Sequence, residues 1–246
     1  MKIAVLFDGG GLARLGLELA GHICTGFELD PNKHYLSTMV GSGNCVLADA
    51  TAVDLSGYSA VWASPPCQWL SGARVAGDPI SQYATDYLAW SLSLPHSILW
   101  VENVKQSSML KLNYWGRLYN AAQFIDPPRQ NRNRVIGGRH RVPSLIRPYR
   151  RKYPNIPPCV TATEYKGGAA GKARASIFFG RRLTTDECAY LQGFRIPARW
   201  LVPPKDWFDT DIKWEHQIYE AIGNGVPVYM AQRFGEEYGS TKNTKP

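Results

Sequence analysis

The sequence predicts an α/β fold, with a doubly wound, mostly parallel sheet and a small irregular second subdomain. Three observations predict it: apolar runs of strand length recur through the first hundred residues, stretches with helical spacing separate them, and the pattern breaks down after residue 139. Short apolar strands that alternate with helices are typical of a parallel sheet covered by helices on both faces. With 246 residues, 44% of them apolar, the chain can bury a substantial core.

The first half of the chain supplies most of the predicted elements. The run KIAVLF at 2–7 is long enough for a strand, and LARLGLELA at 12–20 has the spacing of an amphipathic helix. Further strands are expected at 24–30, 45–49, 60–64, 97–103, 122–126 and 134–138. These strands are mostly apolar runs too short for helices, which favours strands buried on both faces.

The pattern changes after residue 139. Residues 139–158 contain five prolines in a basic context without a clear period, so we expect a small irregular subdomain over 139–182. The main domain then comprises 1–138 together with 183–240, and residues 241–246 form a flexible polar tail.

Helices resume beyond this segment. One begins at Thr184 or Thr185, because Glu187 follows in the first turn as in a capping box. A last helix follows the turn GNGVP at 223–227.

Charge is distributed unevenly along the chain. Residues 1–100 hold four Lys or Arg against eight Asp or Glu, whereas 139–182 hold eleven basic residues and one acid, Glu164. A field of one sign at this density destabilises a domain unless something neutralises it. The segment therefore predicts a surface that binds a polyanion, in preference to a merely solvated face.

Composition excludes several classes of protein. No run of eighteen apolar residues occurs, and the N-terminus lacks the basic-then-apolar layout of a secretion signal. The five cysteines are scattered without a Cys-x-x-Cys pair, which argues against a zinc ribbon and against a disulfide framework. We therefore expect a soluble cytoplasmic protein without a membrane segment or a metal site.

The first three strand ends predict a nucleoside site. The turn DGGG at 8–11 follows the first strand and lets the backbone approach a ligand closely at the start of a helix. Glu28, at the end of the second strand, is placed to accept hydrogen bonds from ribose hydroxyls, and Asp49 ends the third strand near an adenine amine. Together these positions favour an adenosine-type cofactor.

A thiol follows the fourth strand. In SPPCQ at 64–68, two prolines restrict the loop that presents Cys67, which suits an aimed thiol better than a buried one. Glu102 ends the fifth strand, and Arg132 and Arg134 stand on alternate residues of QNRNR. A cysteine, an acid and nearby guanidinium groups make a nucleophile, a proton donor and a cationic clamp that favours the thiolate.

These motifs together resemble the C5-cytosine methyltransferases that use S-adenosylmethionine. The matching stretches keep the order and rough spacing of the family over residues 3–235: FDGGG (7–11), Glu28, PPCQ (65–68), ENV (102–104), QNRNR (130–134), LTTDECAYLQGF (183–194) and IGNGVP (222–227). Any one motif can arise by chance, but the ordered set identifies the chain as a member of this family. The resemblance implies the Rossmann-like fold of class I methyltransferases.

The resemblance also implies the catalytic roles. Cys67 attacks C6 of a cytosine, and Glu102 holds N3 so that C5 becomes nucleophilic and takes the methyl group. Arg134 orients the cytosine and supports Glu102, with Arg132 nearby. The target base must flip out of the duplex to be reached. Donor-binding positions carried over in the same way are Phe7, Gly9, Gly11, Glu28, Asp49, Pro66, Gly223 and Asn224.

Two departures from the family pattern bear on the expected site. Asp8 stands where the family commonly has a small residue, and Leu12 where it has a glycine, which puts a carboxylate near the methionine end of the donor. The recognition region between QNRNR and LTTDE is only about 48 residues long. We therefore expect a short target site of about two to four base pairs, because little protein is left to contact bases, with affinity drawn from phosphates. The phosphate-binding residues expected are Arg147, Arg150, Arg151, Lys152, Lys166, Lys172 and Arg174.

Three functions remain open at this point. The leading expectation is a monomeric DNA (cytosine-5-)-methyltransferase that acts on double-stranded DNA in a bacterial or phage-infected cell, as in restriction-modification, and yields S-adenosylhomocysteine. One branch of the family methylates tRNA, and the basic surface suits either polyanion. The third alternative is a catalytically silent nucleic-acid-binding homologue, against which the intact Cys67, Glu102, Arg132 and Arg134 argue.

Overall fold

The computed structural model describes residues 1–67, 82–105, 116–143, 147–148, 150, 152–170, 173–205, 207 and 213–239. Within these residues the chain forms one sheet of seven strands. The strands are β1 (Lys2–Leu6), β2 (Ile23–Glu28), β3 (Cys45–Leu47), β4 (Ala60–Ala63), β5 (Leu99–Val104), β6 (Gly116–Asn120) and β7 (Asn133–Gly137).

The sheet has the order β3-β2-β1-β4-β5-β7-β6. Strands β1 to β5 are all parallel, and β7 pairs antiparallel with both β5 and β6. The chain winds outward from β1 to β3, then returns to the other side of β1 and winds outward again. This reversal confirms the predicted doubly wound sheet and leaves a crevice beyond the carboxyl ends of β1 and β4, where such folds bind ligands.

Helices pack on the sheet and at its edge. They are α1 (Leu12–Leu19), α2 (Pro31–Ser37), α3 (Gln82–Ser93), α4 (Arg174–Phe179), α5 (Thr185–Gln192), α6 (Trp214–Asn224) and α7 (Val228–Gly239). The carboxylate of Asp30 caps α2, accepting from the amides of Asn32 and Lys33, with Pro31 at the first position. The predicted capping box of α5 is confirmed, with Thr184 at the cap and Glu187 as its partner.

Alternate strand residues separate two layers of core. Ile3, Val5 and Trp62 lie with α1 and α7 on one face, whereas Ala4 and Val61 lie with Leu88 of α3 on the other, and all are buried. A third cluster, formed by α2, α5 and α6, also takes up Val160 and Ala175. The described part of the basic segment thus shares a core with the C-terminal helices.

Several predicted elements need correction. The strand expected at 122–126 is wrong: Ala121–Gln123 form a 3-10 turn capped by Asn120, and the strand lies just before it, as β6. Helices α2, α3, α4 and α6 are not among the predicted elements. The proposed tail at 241–246 lies outside the described residues, and the subdomain boundaries at 139 and 182 stay a prediction.

Candidate active site

The turn after β1 is held in an uncommon backbone conformation. Phe7 and Gly9 both have a φ of 58°. A non-glycine residue in this left-handed region costs about 1–2 kcal/mol, and Phe7 bears this strain at the border of the pocket described next. Gly9 adopts it without cost, and its amide donates to Oε2 of Glu28 across 2.7 Å.

Glu28 and Asp49 border a pocket of about 370 Å³ at the ends of β2 and β3. The other carboxylate oxygen of Glu28 accepts from the amide of Asp30 (2.9 Å), which fixes the carboxylate at the pocket wall. The backbone amide and the hydroxyl of Thr51 hold the pKa of Asp49 below its usual value, so Asp49 is an ionised acceptor at neutral pH. The remaining wall is mostly apolar and aromatic: Phe7, Phe27, Pro66, Tyr83 and Tyr87.

The unusual Asp8 has a structural partner. Its side chain is fully buried and accepts from Nε of Arg14 (3.0 Å) and from the hydroxyl of Ser37 (2.5 Å). Burial alone would lower the pKa of Arg14, but the negative charges of Asp8 and Glu18 hold that pKa above its ordinary value. The extra carboxylate therefore forms a buried ion pair between the glycine turn and α1, and accepts a hydrogen bond from α2.

Gly11 belongs to this network and not to the pocket wall. A Cβ at Gly11 would lie 2.9 Å from Nη2 of Arg14 and 3.1 Å from the Ser37 hydroxyl, and its φ is 81°. Gly9, by contrast, borders the crevice with nothing within 4 Å of its Cβ position. The two glycines predicted to line the donor thus divide into one that faces the crevice and one that packs beneath it.

A larger crevice of about 1100 Å³ continues from this pocket along the carboxyl ends of β1, β4 and β5. Phe7, Glu28 and Pro66 border both spaces. All four residues predicted to be catalytic line the crevice, and so do the two predicted from the last motif: Cys67, Glu102, Arg132, Arg134, Gly223 and Asn224.

Cys67 is carried by a braced loop. Asn103, next to Glu102 on β5, donates from its side-chain amide to the carbonyl of Pro65 (3.1 Å). The indole of Trp62 donates to the hydroxyl of Ser64 (3.0 Å) at the start of the same loop. Two side chains from the sheet therefore fix the strand-to-cysteine connection that the prolines stiffen.

Glu102 and Arg134 form a buried ion pair. Nε of Arg134 lies 2.7 Å from Oε1 of Glu102, with side-chain exposures of 11% and 7%. In the antiparallel register of β5 and β7, Arg134 stands opposite Val104, so Glu102 is its diagonal neighbour on the same face. The predicted contact between these two residues is therefore a consequence of sheet geometry.

The environment of Cys67 acts on its pKa in both directions. Burial raises the pKa of the thiol, Arg134 and Arg132 lower it, Glu102 raises it, and the net pKa lies above the ordinary value. The sequence suggested that the guanidinium groups would favour the thiolate, but in the ligand-free chain burial outweighs them. The thiol is therefore protonated at neutral pH before a substrate enters.

Arg132 uses its guanidinium differently from Arg134. It is buried, and it donates to the carbonyls of Val160 (2.7 Å), Gly223 (2.8 Å) and Gly225 (2.9 Å). Burial and the adjacent charge of Arg134 lower its pKa. Its Nε is buried without a hydrogen-bond partner among the described residues. Arg132 therefore ties the basic segment, at Val160, to the last motif beneath the crevice.

The basic residues predicted to contact phosphates are only partly available. Lys152 and Arg174 are exposed and border the crevice, and Lys166 is exposed beside Tyr165. Arg147 is already paired with Asp126, and the exposed Arg150 lies over Tyr153. Arg151 and Lys172 lie outside the described residues.

Some crevice residues escape sequence reasoning. Cys159 is a second thiol bordering the crevice, and Lys33 and Glu220 border it from α2 and α6 with their charged groups 3.9 Å apart. None of the three follows a predicted strand, so their sequence carried no signal. Across the described part of the chain no group of three or more potential ligands could hold a metal ion, and no helix is long and apolar enough to span a membrane.

Comparisons with known proteins agree with this geometry. The family model described as C-5 cytosine-specific DNA methylase matches residues 103–240. A search of the curated proteins finds no match. Solved structures share the fold at identities too low to show more than the fold.

Three of these structures resemble the chain over nearly its whole length. One is described as a DNA modification methyltransferase encoded within an E. coli prophage (15% identity, 99% of this chain and 100% of that chain, TM-score 0.58). Another is the Entamoeba histolytica methyltransferase EhMeth (10% identity, 95% and 96%, TM-score 0.60). A mutant of Spodoptera frugiperda DNMT2 is the third (13% identity, 94% and 97%, TM-score 0.55).

Proposed function

The chain belongs to the C-5 cytosine-specific DNA methylase family, and on that premise we propose that it methylates C5 of cytosine in double-stranded DNA, with S-adenosylmethionine as the donor. One observation carries the proposal: Cys67, Glu102 and Arg134 border a single crevice that opens directly into the pocket of Glu28 and Asp49. A nucleophile, a carboxyl group and a cation thus stand beside a site suited to a nucleoside.

The pocket fits this donor. Glu28 presents a fixed carboxylate at a strand end, where it can accept from two ribose hydroxyls, and Asp49 is an ionised acceptor within reach of an adenine amine. The aromatic and apolar remainder suits the faces of a purine. When bound, S-adenosylmethionine would supply an electrophilic methyl group on sulfonium sulfur. Phe7 and Pro66 border both spaces and would lie between the nucleoside and the reacting base.

The chain's own residues account for activation of the base. The Cys67 thiolate forms a bond to C6 of the cytosine, and the electron pair displaced from the ring is accepted at N3, where Glu102 shares a proton. C5 is then nucleophilic and can take a methyl group. Transfer of the C5 proton to solvent leaves its electron pair to re-form the C5–C6 double bond, which expels Cys67 as a thiolate and restores the aromatic ring and the free enzyme.

Arg134 has two roles in this proposal. Its ion pair with Glu102 fixes the carboxyl group that must face N3. One terminal nitrogen, Nη1, donates to the carbonyl of Asn133 (2.9 Å), and we assign the other, Nη2, to the cytosine carbonyl. Its charge also favours the thiolate of Cys67 against the effect of burial. We propose a positioning role for Arg132, since both of its terminal nitrogens donate to backbone carbonyls, three in all.

Double-stranded DNA is the favoured substrate, because the matching family is described by its action on DNA and exposed cations rim the crevice. A base within a duplex cannot reach the crevice, so the cytosine must flip out. The short recognition segment supports a target of about two to four base pairs. Bisulfite sequencing of a plasmid methylated by the protein would contradict this if it gave a strict site of six or more pairs.

The test of the proposed function compares wild type with Cys67→Ser and Cys159→Ser. Each protein is incubated with S-adenosylmethionine and either cytosine-rich duplex DNA or total tRNA, and nucleosides are measured by mass spectrometry. We expect 5-methylcytosine in the DNA from wild type and Cys159→Ser, and none from Cys67→Ser. The Cys159→Ser control removes the other thiol of the same crevice. Product in tRNA alone would replace the DNA substrate with RNA, and no product in either would refute the proposal.

A further inference from the structure

Helix α4 exposes an unusual apolar surface. Ile177, Phe178 and Phe179 are consecutive, and their exposures are 49%, 49% and 44%. The two phenylalanine rings lie edge to face with centroids 5.2 Å apart. We call these three residues the apolar tip. Contiguous exposed apolar residues of this size mark an interaction surface, whereas single ones do not.

The apolar tip is mounted on a rigid support. Glu164 is buried and accepts from the amides of Ala175 (3.2 Å) and Ser176 (3.0 Å) and from the Ser176 hydroxyl (2.6 Å), which fixes the start of α4. Gly180 ends the helix in the left-handed conformation with a φ of 68°. Both ends of α4 are therefore determined, so the aromatic pair is presented without loss of backbone entropy on binding.

The tip is continuous with the catalytic crevice. Arg174, the first residue of α4, borders the crevice that contains Cys67, and Phe178 lies four positions later on the same helical face. Four residues of helix rise about 6 Å. Since stacked base pairs are about 3.4 Å apart, a nucleic acid whose phosphate meets Arg174 brings its second or third base into range of the tip.

The charged residues near the apolar tip indicate which class of ligand it binds. Arg174, Arg181 and Arg182 flank the tip in sequence and are exposed, and so is Lys166 in the segment Glu164–Ala170 that packs against α4. Arg181 and Arg182 pair with Glu187 and Glu215, while Arg174 and Lys166 have no ion pair among the described residues. A surface with aromatic rings between cations fits a strand of bases and phosphates, because every base has a face to stack and every phosphate a charge to pair.

We propose that the apolar tip stacks on, or inserts between, the bases next to the flipped cytosine, and so replaces part of the stacking that flipping removes. The inference rests on the proposed function, since it takes duplex DNA as the ligand of the crevice. It assigns a base-contacting surface to a recognition segment whose other exposed groups are mainly cations. A side chain that fills the stack lowers the cost of extruding the target base.

The test measures binding of a fluorescein-labelled 30-base-pair GC-rich duplex by anisotropy over a range of salt concentrations. Phe178→Ala should weaken binding about tenfold, or about 1.4 kcal/mol, at the lower end of base stacking on an aromatic ring. Its dependence on salt should stay that of wild type, because no phosphate contact is lost. Arg174→Ala should instead reduce the slope of log K against log salt by about one.

Two further variants sharpen the test. Phe178→Trp keeps an aromatic face and should retain wild-type affinity. Leu19→Ala removes an apolar side chain of similar exposure (58%) at the far end of α1, and should change nothing. Circular dichroism verifies that each variant is folded, which is expected since Phe178 is half exposed.

The outcomes separate the two proposals. Wild-type affinity of Phe178→Ala would overturn the inference, and so would a change in its salt slope like that of Arg174→Ala. A dimer of the wild-type chain that Phe178→Ala makes monomeric at unchanged DNA affinity would assign the tip to a second copy instead. If wild type binds the duplex but methylates neither DNA nor tRNA, the proposed function fails, while the binding result still decides whether the apolar tip contacts bases.

Discussion

Removing the Asp8 carboxylate should destabilise the protein without touching the catalytic groups. Asp8→Ala leaves the buried guanidinium of Arg14 without its closest counter-charge and the Ser37 hydroxyl without its acceptor. Removing one partner of a buried ion pair costs about 3–5 kcal/mol. Arg14 keeps Glu18 (3.2 Å) and the carbonyls of Ser37 (2.6 Å) and Val40 (3.1 Å), so we expect the lower end, about 3 kcal/mol.

Urea denaturation without donor or DNA measures this cost. For a chain of this length, about 3 kcal/mol also corresponds to a fall in Tm of about 6–12 °C. Arg14→Met should be comparably destabilising, since it leaves the carboxylate buried. In the double variant both charges are gone, so its loss should fall short of the sum of the two by about 2 kcal/mol.

The control is Asp54→Ala, which removes an exposed carboxylate that holds a turn at Ser56. It should leave the midpoint nearly unchanged. The reasoning is refuted if Asp8→Ala stays within about 1 kcal/mol of wild type, or if the Asp8 and Arg14 variants are additive, because either result would mean that the pair is not energetically coupled.

Two further predictions concern the site itself. Iodoacetamide should alkylate Cys67 faster as pH rises toward and beyond 9, since burial raises the thiol pKa and only the thiolate reacts. At pH 8, Glu102→Gln should speed the alkylation and Arg134→Ala should slow it, as measured by peptide mass spectrometry. The reverse order of the two rates would contradict the effects assigned to the two charges. Glu28→Gln should weaken S-adenosylmethionine binding about tenfold in calorimetry, because one of the two oxygens that accept hydrogen bonds from Gly9 and Asp30 is replaced by an NH₂ group, which donates. Binding of the duplex should be unaffected. An unchanged affinity for S-adenosylmethionine would remove Glu28 from the proposed cofactor site.

The sheet could be predicted because its central strands are short, apolar and buried on both faces. The sequence of helix α3 shows no comparable hydrophobic pattern. Its apolar residues are spread around the helix, with Ala84 and Leu88 in the core and Tyr83 and Tyr87 at the pocket. Strand β6 is half exposed at the sheet edge, so its apolar pattern is weak. Large apolar residues usually face the core, but in α4 they face outward, so a search for a buried apolar face could not find this helix.

The placement of the candidate site residues was predictable for a geometric reason. Parallel strands bring their carboxyl ends to one edge, so Cys67 and Glu28 had to meet there once their strands were placed. The contact of Glu102 with Arg134 followed from neighbouring strands. The partners of Arg132 could not be foreseen, since the carbonyls of Val160, Gly223 and Gly225 lie 28, 91 and 93 residues away in sequence.

Those distant partners connect the proposed recognition segment to the crevice. Arg132 donates to the carbonyl of Val160, which lies just before Glu164, the residue that fixes the start of α4. The same guanidinium donates to the carbonyl of Gly223, next to Asn224 in the last motif. Gly223 packs so closely on Thr161 and Ala162 that a Cβ would collide with their backbone. The segment that precedes α4 and the proposed donor wall are therefore both held by one buried cation. If nucleic acid displaces the segment around Val160, we expect these hydrogen bonds to resist the displacement or to transmit it to the crevice.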